Sequence, residues 1–229
     1  DDEVRALGSL ATDAGVTISN LATLIMRCPA TPEARDEQLA QFERAVQIAS
    51  LLELDRIRCY AFLKEPDLEG VWDFIVASLS TLLERAEAAG ITLLLENSSY
   101  ANVQMATESR RLLDALPNPR LQLLWDAGNA FALGDPTPTV EAWDLLKDRI
   151  AHIHLKDSAA HGSNEWTPLG EGAFDLDGLL AALERDHYAG IVSLETYFND
   201  DDPAERERKT HRSVMNLKDR LGVAAQTRG

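Results

Sequence analysis

The sequence predicts an α/β fold, a parallel barrel of the (β/α)8 type, on three observations. Short apolar runs alternate with longer amphipathic stretches along the chain, the signature of strand-helix units and a parallel sheet with right-handed crossovers. Four of those runs end in a metal-type ligand: Leu93-Leu94-Leu95-Glu96, Leu123-Leu124-Trp125-Asp126, Ala151-His152-Ile153-His154 and Ile191-Val192-Ser193-Leu194-Glu195. They recur at roughly 30 to 40 residues, the length of one such unit. The third observation is parity. Residues two apart share a face of a strand, so Thr92, Leu94 and Glu96 point one way, as do Gln122, Leu124 and Asp126, His152 and His154, and Ser193 and Glu195. The other face (Leu93, Leu95, Leu123, Trp125, Ile153, Val192, Leu194) is apolar, as strands buried under helices require.

The elements follow in order. Residues 2–14 read as an amphipathic helix through Val4, Leu7, Leu10, Ala11 and Ala14, closed by Gly15. Residues 16–22 read as a strand, and 32–53 as a long helix with Pro32 near its start. Strands are expected at 56–62, 91–96, 121–126, 150–156 and 191–197, and helices at 69–89, 107–116, 139–147, 175–186 and about 203–221. That makes six strands, while a closed barrel of this type has eight. The expectation is that a strand-helix-strand segment upstream is absent, so that residues 1–229 form a single, N-terminally incomplete barrel domain. The alternative is a real six-stranded partial barrel, whose two exposed edges would invite partner pairing. A homodimer is left open on that ground.

Composition narrows the partners. The net charge is −16, with no Lys/Arg cluster beyond pairs such as Arg110-Arg111, which disfavours nucleic acid and anionic membranes. No apolar run reaches the length of a membrane-crossing helix, and the start, Asp-Asp-Glu-Val-Arg, does not read as a signal peptide. Cys28 and Cys59 offer neither ligand spacing nor a disulfide framework, so a reducing, cytoplasmic setting is expected.

Three carboxylates and an imidazole at inward-facing strand ends would converge at one mouth of the barrel. Uncompensated, such a cluster costs several kcal/mol in repulsion and desolvation. A divalent cation is the natural remedy. One such acid alone would be read as a strand cap at a solvated rim; four ligands at matched parity argue for a site.

The runs Leu-Leu-Leu-Glu96-Asn, Trp-Asp126-Ala-Gly-Asn129, His152-Ile-His154-Leu-Lys156-Asp157, Pro168-Leu-Gly170-Glu-Gly172 and Ser-Leu-Glu195 resemble the xylose-isomerase-like TIM-barrel superfamily, including its sugar phosphate isomerase/epimerase family. The resemblance covers nearly the whole chain. Each motif is short; their order, spacing and parity together are specific for the superfamily but not for one substrate. The resemblance implies one divalent metal held by Glu96, Asp126, His154 and Glu195. Hard oxygen ligands with one imidazole favour Mn²⁺, Mg²⁺ or Co²⁺ and admit Zn²⁺. It also implies a small carbohydrate substrate, and isomerase or epimerase chemistry by proton transfer through a metal-bound enediolate, with Glu96 and Glu195 moving the proton. Two alternatives stay open: a metal-dependent dehydratase of an inosose or keto-acid, and a non-catalytic binding relic of the fold.

Lesser candidates each carry two readings. Lys156 points at the mouth and either polarises a substrate oxygen or pairs with a rim carboxylate; His152, one layer below His154, is a substrate contact or a hydrogen-bonded core histidine. Asn129 is a substrate contact or a loop cap. Trp166 stacks on a sugar or packs, and Tyr60 and Phe62 line the pocket or fill the core. Gly170-Glu171-Gly172 is a tight turn and weak evidence for phosphate binding. The related endonucleases carry extra histidine ligands where this chain has Asn129 and Asn164-Glu165-Trp166, which argues against a trinuclear nuclease. Ketohexose epimerases of the group carry a glutamate and an arginine where this chain has Asn102 and Ala160, so its substrate contacts differ from theirs.

Overall fold

The apolar runs form one parallel sheet and the amphipathic stretches the helices that cover it, in a computed structural model describing residues 1–198 and 200–222. In chain order the elements are α1 (Asp2–Asp13), β1 (Leu21–Ile25), α2 (Pro32–Leu51), β2 (Arg56–Cys59), α3 (Leu68–Ala88), β3 (Thr92–Glu96), α4 (Ala106–Ala115) and β4 (Leu121–Asp126). There follow α5 (Ala127–Ala132), α6 (Val140–Leu146), β5 (Ile150–Leu155), β6 (Asp157–Ser158), β7 (Trp166–Thr167), α7 (Leu176–Arg185), β8 (Ile191–Leu194) and α8 (Pro203–Arg220). The main sheet runs β1-β2-β3-β4-β5-β8, and β6 and β7 make a separate antiparallel pair.

The outer face of the sheet is the core. Ile57, Leu93, Leu95, Leu121, Leu123, Trp125, Ile153 and Leu155 are buried against Phe42, Ile75, Leu79, Leu82, Leu112, Trp143 and Leu179 of the helices. Removing this apolar area from water is the main favourable term in folding. Side chains cap the helices that begin each return: Thr31 accepts from the Ala34 N–H ahead of α2, Asp67 from Gly70 ahead of α3, and Asp175 from Gly178 ahead of α7.

The sheet is curled into a half-barrel. In a flat sheet β3 and β8, three neighbours apart, would stand about 14 Å from each other. Instead Glu96 at the end of β3 and Glu195 just past β8 both reach one atom of His154, at 3.5 and 3.6 Å. The register supplies the rest, pairing Asp126 with His154 and His154 with Ser193 across adjacent strands.

Several expectations need correction. The first strand is Leu21–Ile25, not 16–22. The stretch from Val16 to Ile25 is apolar or β-branched almost throughout, so propensity could not choose the window; pairing with β2 did, burying Ile25 and leaving Val16 exposed. The strand expected to run to residue 62 ends at Cys59, and Phe62 takes a left-handed φ of 59°. The strand expected to reach 197 ends at Leu194. Helix α1 forms as expected, but none of its residues is buried, and Leu7 and Leu10 are 55% and 65% exposed. Helix α5 and the β6-β7 pair were not expected, being too short to show a period. Among the described residues no helix is long and apolar enough to cross a membrane.

The loop between β5 and α7 is organised by one buried acid. The Asp157 carboxylate accepts from the backbone N–H groups of Ser158, Gly170, Gly172 and Phe174 at 2.8 to 3.0 Å. Gly172 is the residue this wrapping demands, because a Cβ there would stand 2.3 Å from Asp157 Oδ1 and 2.4 Å from the Ser158 carbonyl oxygen. Asp157→Ala is expected to lower stability by about 3 kcal/mol, since four amide donors lose their acceptor. Urea unfolding measures this, and Asp157→Asn should fall between the two proteins.

Candidate metal centre and pocket

Four strand ends deliver the four predicted ligands to one point. Glu96, Asp126, His154 and Glu195 each place a ligand atom so that all four lie within 4.8 Å of one another. His154 Nδ1 sits among the carboxylates, 3.5 Å from Glu96 Oε1, 3.7 Å from Asp126 Oδ2 and 3.6 Å from Glu195 Oε2. It is buried and donates no hydrogen bond. Asp126 Oδ2 is likewise buried without a hydrogen bond, although the Lys156 ammonium lies 2.7 Å away in ionic contact. Buried polar atoms are nearly always satisfied, so an imidazole nitrogen left without a hydrogen bond among three carboxylates is notable. Three oxygens and an imidazole nitrogen at this spacing suit a hard divalent cation.

Compensating charges hold the acids ionised. Glu96 receives the Tyr60 hydroxyl at 2.6 Å and the Arg58 guanidinium at 2.9 Å, both on its Oε2. Burial pushes its pKa up, but His154, Arg58 and Tyr60 outweigh burial and hold it below the usual range. Glu195 behaves alike: burial opposes ionisation, while His154 and the contacting Lys156 ammonium hold its pKa well down. Burial would depress His154, yet the surrounding carboxylates of Asp126, Glu195 and Glu96 push it up to about 11. Burial also works against the Lys156 charge, and Asp126 and Glu195 overcome it, keeping the ammonium protonated.

Backbone-directed contacts fix these groups. Asn97 donates from Nδ2 to the Asp126 carbonyl at 2.9 Å and accepts from the Asp126 N–H at 2.7 Å. Asp126 Oδ1 accepts from the Asn129 N–H at 2.8 Å, capping α5. Gly128 lets Lys156 pass, because a Cβ there would lie 2.3 Å from Lys156 Cγ and 2.8 Å from its carbonyl oxygen.

Above the cluster opens a cavity of about 520 Å³, whose lining includes Tyr60, Asn129, Lys156 and Trp166. Trp166, on β7, lies with its ring 5.2 Å from Lys156 Nζ. Asn129 also donates from Nδ2 to the Asn97 carbonyl at 3.0 Å, so it serves the loop as well as facing the cavity. His152 is placed differently. It is buried beneath His154, outside the cavity lining, with Nε2 2.8 Å from Ser193 Oγ. Burial and the neighbouring His154 depress its pKa to about 4, so it is a neutral core imidazole in the position of the second reading above. Phe62 is buried in the core against Phe74. Asn102 ties two loops, donating to the Ala61 and Leu63 carbonyls and accepting from the Glu65 N–H.

Sequence reasoning missed Arg58, Asn97, Gly128 and Asp157. The parity of Arg56-Ile57-Arg58-Cys59-Tyr60 was visible and puts Arg58 on the inner face with Tyr60; the other three are set by loop geometry.

Fold and site together define the class: a parallel α/β half-barrel with a candidate metal centre at the C-terminal ends of its strands, where such barrels carry their sites. Comparison gives the family. The profile described as "Xylose isomerase-like TIM barrel" matches residues 1–219, and the chain belongs to that family. It is 25% identical to an inosose dehydratase of Lacticaseibacillus casei over 150 residues, 58% of this chain and 49% of that protein. It is 28% identical to a fructoselysine 3-epimerase of Shigella flexneri over 137 residues, 58% of this chain and 48% of that protein. The chain thus spans about half the length of these curated relatives. Among solved structures, the IolI protein with a bound zinc atom superposes with a TM-score of 0.80 at 18% identity, covering 96% of this chain and 81% of that one. The 3-keto-D-glucoside 4-epimerase of E. coli superposes with a TM-score of 0.77 at 20% identity, covering 95% and 85%. At these identities the structural likeness establishes the fold.

Gly128→Ala is expected to cost about 1–3 kcal/mol by forcing Lys156 and the chain around it aside. Thermal unfolding against wild type reads the loss.

Proposed function

We propose that the chain is a divalent-metal-dependent enzyme that moves a proton beside the carbonyl of a sugar or related polyol, as an isomerase or epimerase. The observation that carries this reading is the convergence of Glu96, Asp126, His154 and Glu195, with His154 Nδ1 buried among the carboxylates and without a hydrogen bond. The relatives named for epimerising a sugar derivative and for dehydrating an inosose support a carbohydrate-like substrate. Glu96, Asp126, His154 and Glu195 would hold the cation. The chemistry a divalent cation supplies in such a setting is Lewis-acid polarisation of a carbonyl oxygen, which acidifies the adjacent C–H.

The side chains divide the remaining work. Glu195, whose side chain is 31% exposed where it meets the cavity, is the carboxylate placed to take a proton from substrate. Glu96, on the other side of His154 and almost wholly buried, would return one, and Tyr60 and Arg58 hold its Oε2. The Lys156 ammonium stands where it can donate to a substrate oxygen. Trp166 presents an aromatic surface to the C–H face of a sugar and helps exclude water.

A dehydratase is the second reading, favoured by Lys156 itself. With its proton held and its ammonium against Glu195, it is poised to protonate a departing hydroxyl as Glu195 removes the neighbouring C–H proton, expelling water and forming a C=C bond. The two readings share the centre and differ in what leaves.

Elemental mass spectrometry after dialysis against Mn²⁺ should find one metal per chain in wild type and none in His154→Ala. No metal in wild type would make the acids a rim feature and overturn the reading. Glu195→Gln should lower turnover by about 10²–10⁴-fold with the fold intact by circular dichroism; full activity would remove Glu195 from the chemistry. With a ketose or inosose in D₂O, exchange or epimerisation without loss of mass marks the first reading, and loss of one water marks the second.

A further inference from the structure

Arg27 stands at the edge of the same cavity with its charge unanswered. The lining carries three cations, Arg27, Arg58 and Lys156, against two acids, Glu96 and Glu195, within a chain of net charge −16. Arg58 is held by Glu96, and Lys156 by Asp126 and Glu195. Among the described residues no carboxylate pairs with Arg27 and none of its guanidinium N–H groups makes a hydrogen bond, so its whole donor fork is unspent.

What holds it are rings. The guanidinium lies 4.6 Å from the Tyr100 centroid and 5.7 Å from that of Tyr60. Such stacking engages the face of the guanidinium and leaves its N–H edge free. The backbone aims it as well. The preceding Met26 is fully buried at a φ of 62°, and its N–H donates to Gln38 Oε1 at 3.0 Å. A non-glycine residue keeps that conformation only where its surroundings impose it. Tyr60, which supports Arg27 with its ring, donates its hydroxyl to Glu96. One aromatic side chain therefore separates the free guanidinium from the candidate metal centre.

We infer that Arg27 is an anion anchor, and that the substrate carries a carboxylate or phosphate group at the end remote from its reacting carbon. A planar fork with free donors, beside aromatic rings and paired with no carboxylate among the described residues, matches the paired oxygens of either group. The inference rests on the proposed function for where the reacting end lies; the anion site itself stands on Arg27.

The test follows the arginine Nε–H resonances of uniformly ¹⁵N-labelled, metal-free protein titrated with inorganic phosphate and with acetate, at constant ionic strength made up with chloride. A resonance missing from the Arg27→Met spectrum should shift saturably with at least one anion, and Arg27→Lys should abolish that resonance while retaining weaker anion binding, about ten-fold down by calorimetry. Preference for phosphate points to a sugar phosphate, and preference for acetate to a sugar acid. A resonance that stays still with both anions, or moves as much with added chloride, overturns the inference. Manganese stoichiometry of Arg27→Met separates the two proposals. Metal bound with no anion response sinks the anchor alone, and anion response without metal in wild type sinks the proposed centre alone.

Discussion

The curl of the sheet forces like charges together, and the rest of the site is organised around that constraint. Three carboxylates within reach of one imidazole nitrogen repel one another and have lost most of their water. In a medium of low effective dielectric such an arrangement persists only if opposite charge and hydrogen-bond donors surround it. Arg58, Lys156 and Tyr60 supply these. The compensation is local: Arg58 and Tyr60 answer Glu96, and Lys156 is shared by Asp126 and Glu195, which is why the cluster can be buried at the end of an apolar sheet.

Those partners are held as firmly as the acids. Asn97 makes a reciprocal pair of bonds with the Asp126 backbone, fixing the end of β4. Gly128 opens the channel through which Lys156 reaches the acids. Asp157, next to Lys156, gathers four amides and so sets the path of the segment that carries Trp166 over the lysine. Ligand orientation in metal sites depends on such surroundings. Here they come from loops at the C-terminal ends of the strands, so the sheet delivers the acids and the loops hold their surroundings.

The cavity inherits the same asymmetry. Its lining includes Glu96 and Glu195 of the acidic cluster, the tyrosine that bonds Glu96, and an arginine whose guanidinium lies 5.7 Å from that tyrosine's ring centroid. A substrate that spans the cavity would meet a polarising centre at one end and a free guanidinium at the other. Asn102 is committed to backbone carbonyls and an amide and does not line the cavity.

The sequence by itself determined the strand-helix alternation, the inward parity of Glu96, Asp126, His154 and Glu195, and the apolar outer face, because these depend only on a two-residue period repeated in four runs. It could not place β1, since the stretch from Val16 to Ile25 offers strand character throughout and only pairing with β2 selects Leu21–Ile25. It could not tell that the apolar positions of α1 stay exposed, because amphipathicity marks a face and not its partner. Nor could it place His152, which the fold buries beneath His154, outside the cavity lining and 2.8 Å from Ser193 Oγ. Arg58, Asn97, Gly128 and Arg27 belong to the site through contacts made across the fold, and only the tertiary structure, by curling β3 and β8 toward one another, decided that they meet.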